Sequence, residues 1–218
     1  MAPGGDDGCR VVPVTIPGPA GALEGALRLP PRPAGVAVFA HPHPLHGGTM
    51  HTKVVHRAAR FLSSRLSLSA LRFNFRGVGS SEGTHDEGRG EVEDLAAAVR
   101  FARERQPGGI LLVGGFSFGS LCAVGAAPRV GPDAVLLVGV PLTRWDRSGA
   151  AGLAGLPVAW VQGERDEFGG GDLAAATAAR FGWQLAVVAG ADHFFTGRLD
   201  LFEEAALSVL RPLLGAAS

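Results

Sequence analysis

The chain has 218 residues, the length of one domain with a sizeable buried core. Hydrophobic residues at 46% and charged residues at 18% exclude a disordered chain, and two cysteines, Cys9 and Cys122, are too few for a disulfide framework or a cysteine-ligated zinc site. Twenty basic residues balance twenty acidic ones, so no surplus of charge points to nucleic acid or an anionic membrane as a partner.

Residues 1–10 lack the basic start and apolar run of a signal peptide, and no later stretch reaches the ~18 apolar residues of a membrane span. The expectation is a cytoplasmic protein whose residues 1–9 are loosely held. RVVPVTI (10–16) and LEGALRL (23–29) read as short strands across a PGPAG turn, and their Pro and Gly content suits a sheet edge. GVAVFA (35–40) is a continuous apolar run, as in a strand covered on both faces. Residues 50–66 then repeat apolar side chains at helical spacing, and LSALRFNF (68–75) returns as a strand. A polar, glycine-rich loop covers 76–90, followed by a helix over 91–105, a strand at ILLVG (110–114) and a small-residue helix over 117–127. AVLLVGV (134–140), PVAWVQG (157–163) and WQLAVVAG (183–190) complete the strands, with helices predicted over 172–181 and 199–214. Strands alternating with helices across short connections predict one α/β domain over 1–218, with a mostly parallel sheet of about eight strands and helices on both faces.

Such a sheet places its ligands at the carboxyl ends of the strands. The pattern G-x-S-x-G marks a strained strand-to-helix turn that lifts a serine hydroxyl above a sheet. It occurs twice, at Gly115-Phe116-Ser117-Phe118-Gly119 and at Gly79-Ser80-Ser81-Glu82-Gly83. With 33 glycines in the chain, the pentapeptide alone is a weak signal. Context separates the two. Ser117 directly follows a strand and opens a helix, whereas Ser81 sits in a polar loop, so Ser117 is the candidate nucleophile.

A serine needs a base that can reach it. Of the histidines at 41, 43, 46, 51, 56, 85 and 193, only His193 follows Ser117, in the loop after the last strand. Asp166, just past the strand VAWVQG, is the carboxylate best placed to meet its imidazole; Asp146 is the runner-up, and Asp192 is expected to point away from the neighbouring ring. His56 and His85 read as solvated or structural.

The loop His41-Pro42-His43-Pro44-Leu45-His46-Gly47-Gly48 follows the first parallel strand. An acyl-transfer site needs two backbone N–H groups aimed at the developing oxyanion. Phe118 supplies one, and because Pro42 and Pro44 have no N–H, His43 supplies the other. The rival reading gathers a metal on His41, His43, His46 and His51. The alternating prolines oppose it by splaying 41 and 43 apart, and no carboxylate lies between 25 and 81 to orient such a site.

The segments HPHPLHGGTMHTKVV (41–55), LRFNFRGVGSSEG (71–83), GEVEDLAAAVRF (90–101), GFSFGS (115–120), QGERDEF (162–168) and GADHFF (190–195) together resemble the small, lidless bacterial serine hydrolases of the α/β-hydrolase superfamily, near the dienelactone-hydrolase-like enzymes. The resemblance implies an α/β-hydrolase fold without a lid domain, Ser117 as nucleophile, His193 as general base, Asp166 as its orienter, and His43 and Phe118 as the oxyanion hole. It also implies that no metal or other cofactor takes part. The implied activity is hydrolysis of small or exposed carboxylic esters by a monomer or small homo-oligomer. A peptidase, amidase or thioesterase would use the same triad, and a non-catalytic partner-binding protein is the reading from a different class. Where many relatives carry Asp, this chain has Asn74, a position expected to be structural. Residues 141–156 are too short for a multi-helix cap, and Phe116, Phe118, Trp145, Phe194 and Phe195 are candidates for an apolar wall.

Overall fold

A computed structural model describes residues 8–215. The loosely held segment expected over 1–9 falls almost wholly outside the described residues. Eight strands form one sheet: β1 (Arg10–Gly18), β2 (Gly21–Leu29), β3 (Gly35–Ala40), β4 (Leu68–Phe73), β5 (Ile110–Phe116), β6 (Ala134–Val138), β7 (Val158–Gly163) and β8 (Gln184–Val188). The order is β1-β2-β4-β3-β5-β6-β7-β8, with β2 antiparallel to both β1 and β4 near one edge and the remaining pairs parallel. Five helices connect them: α1 (Lys53–Leu66), α2 (Arg89–Arg105), α3 (Phe118–Val130), α4 (Gly171–Phe181) and α5 (Leu199–Gly215).

The apolar runs are continuous because both faces of the sheet are covered. Alternate residues of each central strand go to opposite sides. Val36 and Val38 of β3, Val135 and Leu137 of β6, and Trp160 of β7 pack with α2, α3 and α4. Ala37, Phe39, Leu136 and Val161 pack with α1 and α5 on the other face. Each large side chain so buried contributes roughly 1.5–3 kcal/mol relative to exposure.

Three elements are shorter than their apolar pattern, and a side chain binds a backbone amide at each of those boundaries. The helix predicted from 50 begins at Lys53, since the Thr52 hydroxyl accepts from Thr49 N and the Thr49 hydroxyl from His51 N, holding 49–52 as turns. β4 stops at Phe73, and the next amides bind elsewhere, Phe75 N donating to the His41 ring. β6 stops at Val138 because Gly139 turns the chain with φ 53°, and the Val140 N–H donates to the side chain of Gln162.

Candidate active site

Ser117 sits between β5 and α3 with φ 56° and ψ −120°, a conformation that non-glycine residues rarely adopt. Its amide donates to Val138 O at 2.9 Å, which ties the turn to β6. The crossing tolerates no side chain at its two glycines. A Cβ on Gly115 would collide with the Gly119 backbone, and one on Gly119 would lie 2.6 Å from the carbonyl oxygens of Ala40 and His41. That same close approach holds the histidine-rich loop after β3 against the start of α3.

His193 Nε2 lies 2.9 Å from Ser117 Oγ, and its Nδ1 lies 2.8 Å from Asp166 Oδ2. With Nδ1 facing a carboxylate, the proton of the neutral ring belongs on Nδ1 and leaves Nε2 to accept from the hydroxyl. Asp166 is fixed in turn: Oδ1 accepts from Phe168 N and Oδ2 from Gln162 Nε2, each at 2.8 Å. Close backbone approach again makes the meeting feasible, because Gly163 leaves room for the carbonyls of Ala191 and Asp192 beside the end of β7. The imidazole is held between the rings of Phe116, Phe168 and Phe194, at centroid distances of 5.0, 4.8 and 5.2 Å. Asp192 turns away, its Oδ1 accepting from Thr196 N, and Asp146 lies exposed in the loop after β6.

His43 and Phe118 both line the cleft above Ser117, and neither backbone N–H donates to a protein acceptor among the described residues. The His43 carbonyl accepts from His46 N and Gly48 N, and its ring accepts from Leu45 N, so the loop around the His43 amide is braced from three positions. Burial, and then the neighbouring His46 and His85, hold the His43 imidazole below its ordinary pKa. His41, by contrast, is turned into the core. Its Nδ1 donates to Pro42 O and its Nε2 accepts from Phe75 N, and burial lowers its pKa to about 4. With both nitrogens engaged, His41 shares no ion with His43 or His46, whose rings stack at 4.5 Å. No group of three His, Cys, Asp or Glu side chains among the described residues is arranged to hold a metal.

The cleft has a volume of about 510 Å³. Its apolar wall comes from Phe118, Leu121, Phe168 and the half-exposed Phe194. Phe116 is wholly buried beneath His193. Two aromatics expected in the wall are instead core residues: Trp145 stacks on Trp183, and Phe195 packs against Phe202. Ser81 is also structural, its buried Oγ accepting from Glu24 N and donating to Asn74 O. His85 lies 2.8 Å from Glu91, and His56 is exposed beside arginines. Residue patterns alone did not single out Gln162 or Phe168, although both lie within the QGERDEF segment.

A family model described as an alpha/beta hydrolase domain matches residues 34–205. The chain belongs to the alpha/beta hydrolase family. The sheet order is that of an alpha/beta hydrolase without a lid, and the solved structures agree. A Xanthomonas campestris serine hydrolase described as lacking a lid is 32% identical, with a TM-score of 0.85, 94% of this chain and 95% of that chain covered. An alpha-beta serine hydrolase homologue from Coxiella burnetii is 35% identical, with a TM-score of 0.83, covering 90% of this chain and 96% of the other. An uncharacterized Rickettsia prowazekii protein is 33% identical over 201 residues, 86% of this chain and 84% of its own length. No described helix of this alpha/beta hydrolase is long and apolar enough to cross a membrane.

Proposed function

We propose that this alpha/beta hydrolase, acting as one domain, cleaves small or exposed carboxylic esters through an acyl-enzyme on Ser117. The observation that carries the reading is the in-line set of Ser117 Oγ, His193 and Asp166, at 2.9 and 2.8 Å, on an elbow at the mouth of an open cleft. His193 Nε2 takes the hydroxyl proton as Ser117 Oγ attacks the ester carbonyl, and Asp166 stabilises the imidazolium that forms. The N–H groups of His43 and Phe118 then receive the oxyanion of the tetrahedral intermediate. His193 returns the proton to the departing alkoxide, and water, activated by the same imidazole, releases the carboxylic acid. The reading takes a small-molecule substrate and no cofactor, and it invokes neither nucleic acid nor a membrane.

The test is hydrolysis of p-nitrophenyl esters from two to twelve acyl carbons, with Ser117→Ala in parallel. Activity should peak at short chains, because an open cleft without a lid gives a long chain little to bury against. The variant should lose on the order of 10⁴-fold or more in kcat. An unchanged rate in Ser117→Ala would overturn the assignment. Matched thioesters and anilides measured beside the esters separate the ester reading from thioesterase and amidase activity.

A further inference from the structure

Several arginines of this protein are held by carboxylates on other elements, Arg76 by Asp94 and Arg57 by Asp200 and Glu203. Arg144 differs from these in its place. It lines the cleft that holds Ser117 and forms no ion pair among the described residues. Its backbone is not loose: Arg144 N donates to Pro141 O at 2.9 Å, and the adjacent Thr143 N donates to Phe168 O at 2.9 Å. The guanidinium carbon lies 5.8 Å from the centroid of the Phe168 ring, which itself meets the His193 imidazole edge-on at 4.8 Å. An arginine, an aromatic ring and the candidate general base therefore form one contact chain leading to the serine.

The sheet order gives this placement its meaning. The loop carrying His43 follows β3 and the loop carrying Arg144 follows β6, and β5 with Ser117 runs between those strands. His43 and Arg144 nevertheless line the same cleft, on either side of Ser117. The guanidinium thus projects its field across the space in which a bound ester must lie. A guanidinium offers a planar fork of donors that fits a carboxylate with two parallel hydrogen bonds.

We infer that Arg144 is a substrate-recognition residue, and that the preferred substrates are esters bearing a second, free carboxylate a few bonds from the scissile carbonyl. The inference rests on the esterase reading and adds to it the charge of the substrate. Glu167 lines the same cleft and, among the described residues lining it, is the acidic side chain that would oppose such a ligand. An anionic substrate would gain from the guanidinium in an open, partly hydrated site, so the gain is moderate and salt-sensitive, about tenfold in kcat/KM.

The experiment compares ester pairs that differ in charge and little else. On the alcohol side these are 4-acetoxybenzoate and 4-acetoxybenzamide; on the acyl side, the p-nitrophenyl monoester of adipic acid and p-nitrophenyl heptanoate. The quantity read is the anionic-to-neutral ratio of kcat/KM in the wild type divided by that in each variant, which cancels intrinsic reactivity. At low salt this quotient should be about ten for Arg144→Ala and Arg144→Gln in at least one pair. Arg144→Lys should retain part of the preference, Glu167→Gln should increase it, and 0.5 M NaCl should flatten it. A quotient near one in both pairs, with esters still cleaved, overturns the role of Arg144 and leaves the esterase reading standing. Failure to cleave any ester, together with failure of a fluorophosphonate to label Ser117, overturns both.

Discussion

Gln162 donates from Nε2 to Asp166 Oδ2 at 2.8 Å, and both side chains are buried. The same amide donates to Gly169 O, while its Oε1 accepts from Val140 N and Trp160 Nε1. One side chain thus joins the ends of β6 and β7 to the carboxylate that meets His193. Gln162 does not line the cleft, so its influence on a substrate passes through Asp166. Gln162→Leu should lower kcat by roughly ten- to a hundredfold with KM little changed, because a carboxylate that loses a donor holds the imidazole less firmly. Gln162→Glu sets a second carboxyl against Asp166 and should lose more at neutral pH. A folded Gln162→Leu enzyme with wild-type kcat would refute the positioning role.

Ser117 and Ser81 share a pentapeptide and should behave oppositely. Ser81→Ala leaves Glu24 N and Asn74 O short of a partner and should cost about 1–3 kcal/mol of stability while a fluorophosphonate still labels the protein. Ser117→Ala should abolish labelling and keep the strained backbone of φ 56°. Ser117→Gly should also abolish labelling but melt higher than Ser117→Ala by a few degrees, since relief of about 1 kcal/mol shifts Tm by about 2–4 °C at this chain length. Equal melting temperatures for the Gly and Ala variants would mean that the elbow stores no strain.

The order of the elements was readable because the central strands are covered on both faces and the helices on one, which writes two different hydrophobic periods into the chain. Ser117, Asp166 and His193 stood out because each follows the carboxyl end of a strand. What stayed hidden was set by loop paths and second contacts. Trp145 looks like a cleft residue in its loop, but that loop folds back and stacks it on Trp183. Gln162 is a single polar residue in an apolar strand, and only the meeting of β6, β7 and the following turn gives it four partner residues. His41 belongs to a histidine cluster in sequence, yet Pro42 alone separates its buried ring from the half-buried His43.

Asn74 sits in surroundings that require an amide and not a carboxylate. Its Oδ1 accepts from Met50 N, and its Nδ2 donates to Glu24 Oε2 at 2.7 Å. The Ser80 N–H and the Asn74 amide hold the Glu24 carboxyl below its ordinary range. Asn74→Asp would turn that second contact into a carboxylate facing a carboxylate. The variant should lose about 1–3 kcal/mol in a urea melt, and Glu24→Gln in the same chain should recover much of it by restoring a donor. Additive losses in the double variant would show that Asn74 and Glu24 do not act as a pair.

His41 is the strongest source of acid sensitivity. Its pKa is about 4 in the folded protein, against an ordinary 6.5, because burial disfavours the imidazolium. The unfolded chain therefore binds a proton at a pH where the folded chain does not, and stability rises with pH across that interval. The full contribution is present above the ordinary value and is lost as pH falls from there toward 4. Between pH 7 and pH 5 the loss should be about 2 kcal/mol. His41→Gln keeps an acceptor for Phe75 N but cannot titrate, so its urea-derived stability should fall less over the same interval, by about that amount. His43 and His56 are also held below their ordinary pKa and contribute to both proteins alike, so the difference isolates His41. Parallel pH profiles for the two proteins would assign the acid sensitivity to those exposed or half-buried rings instead.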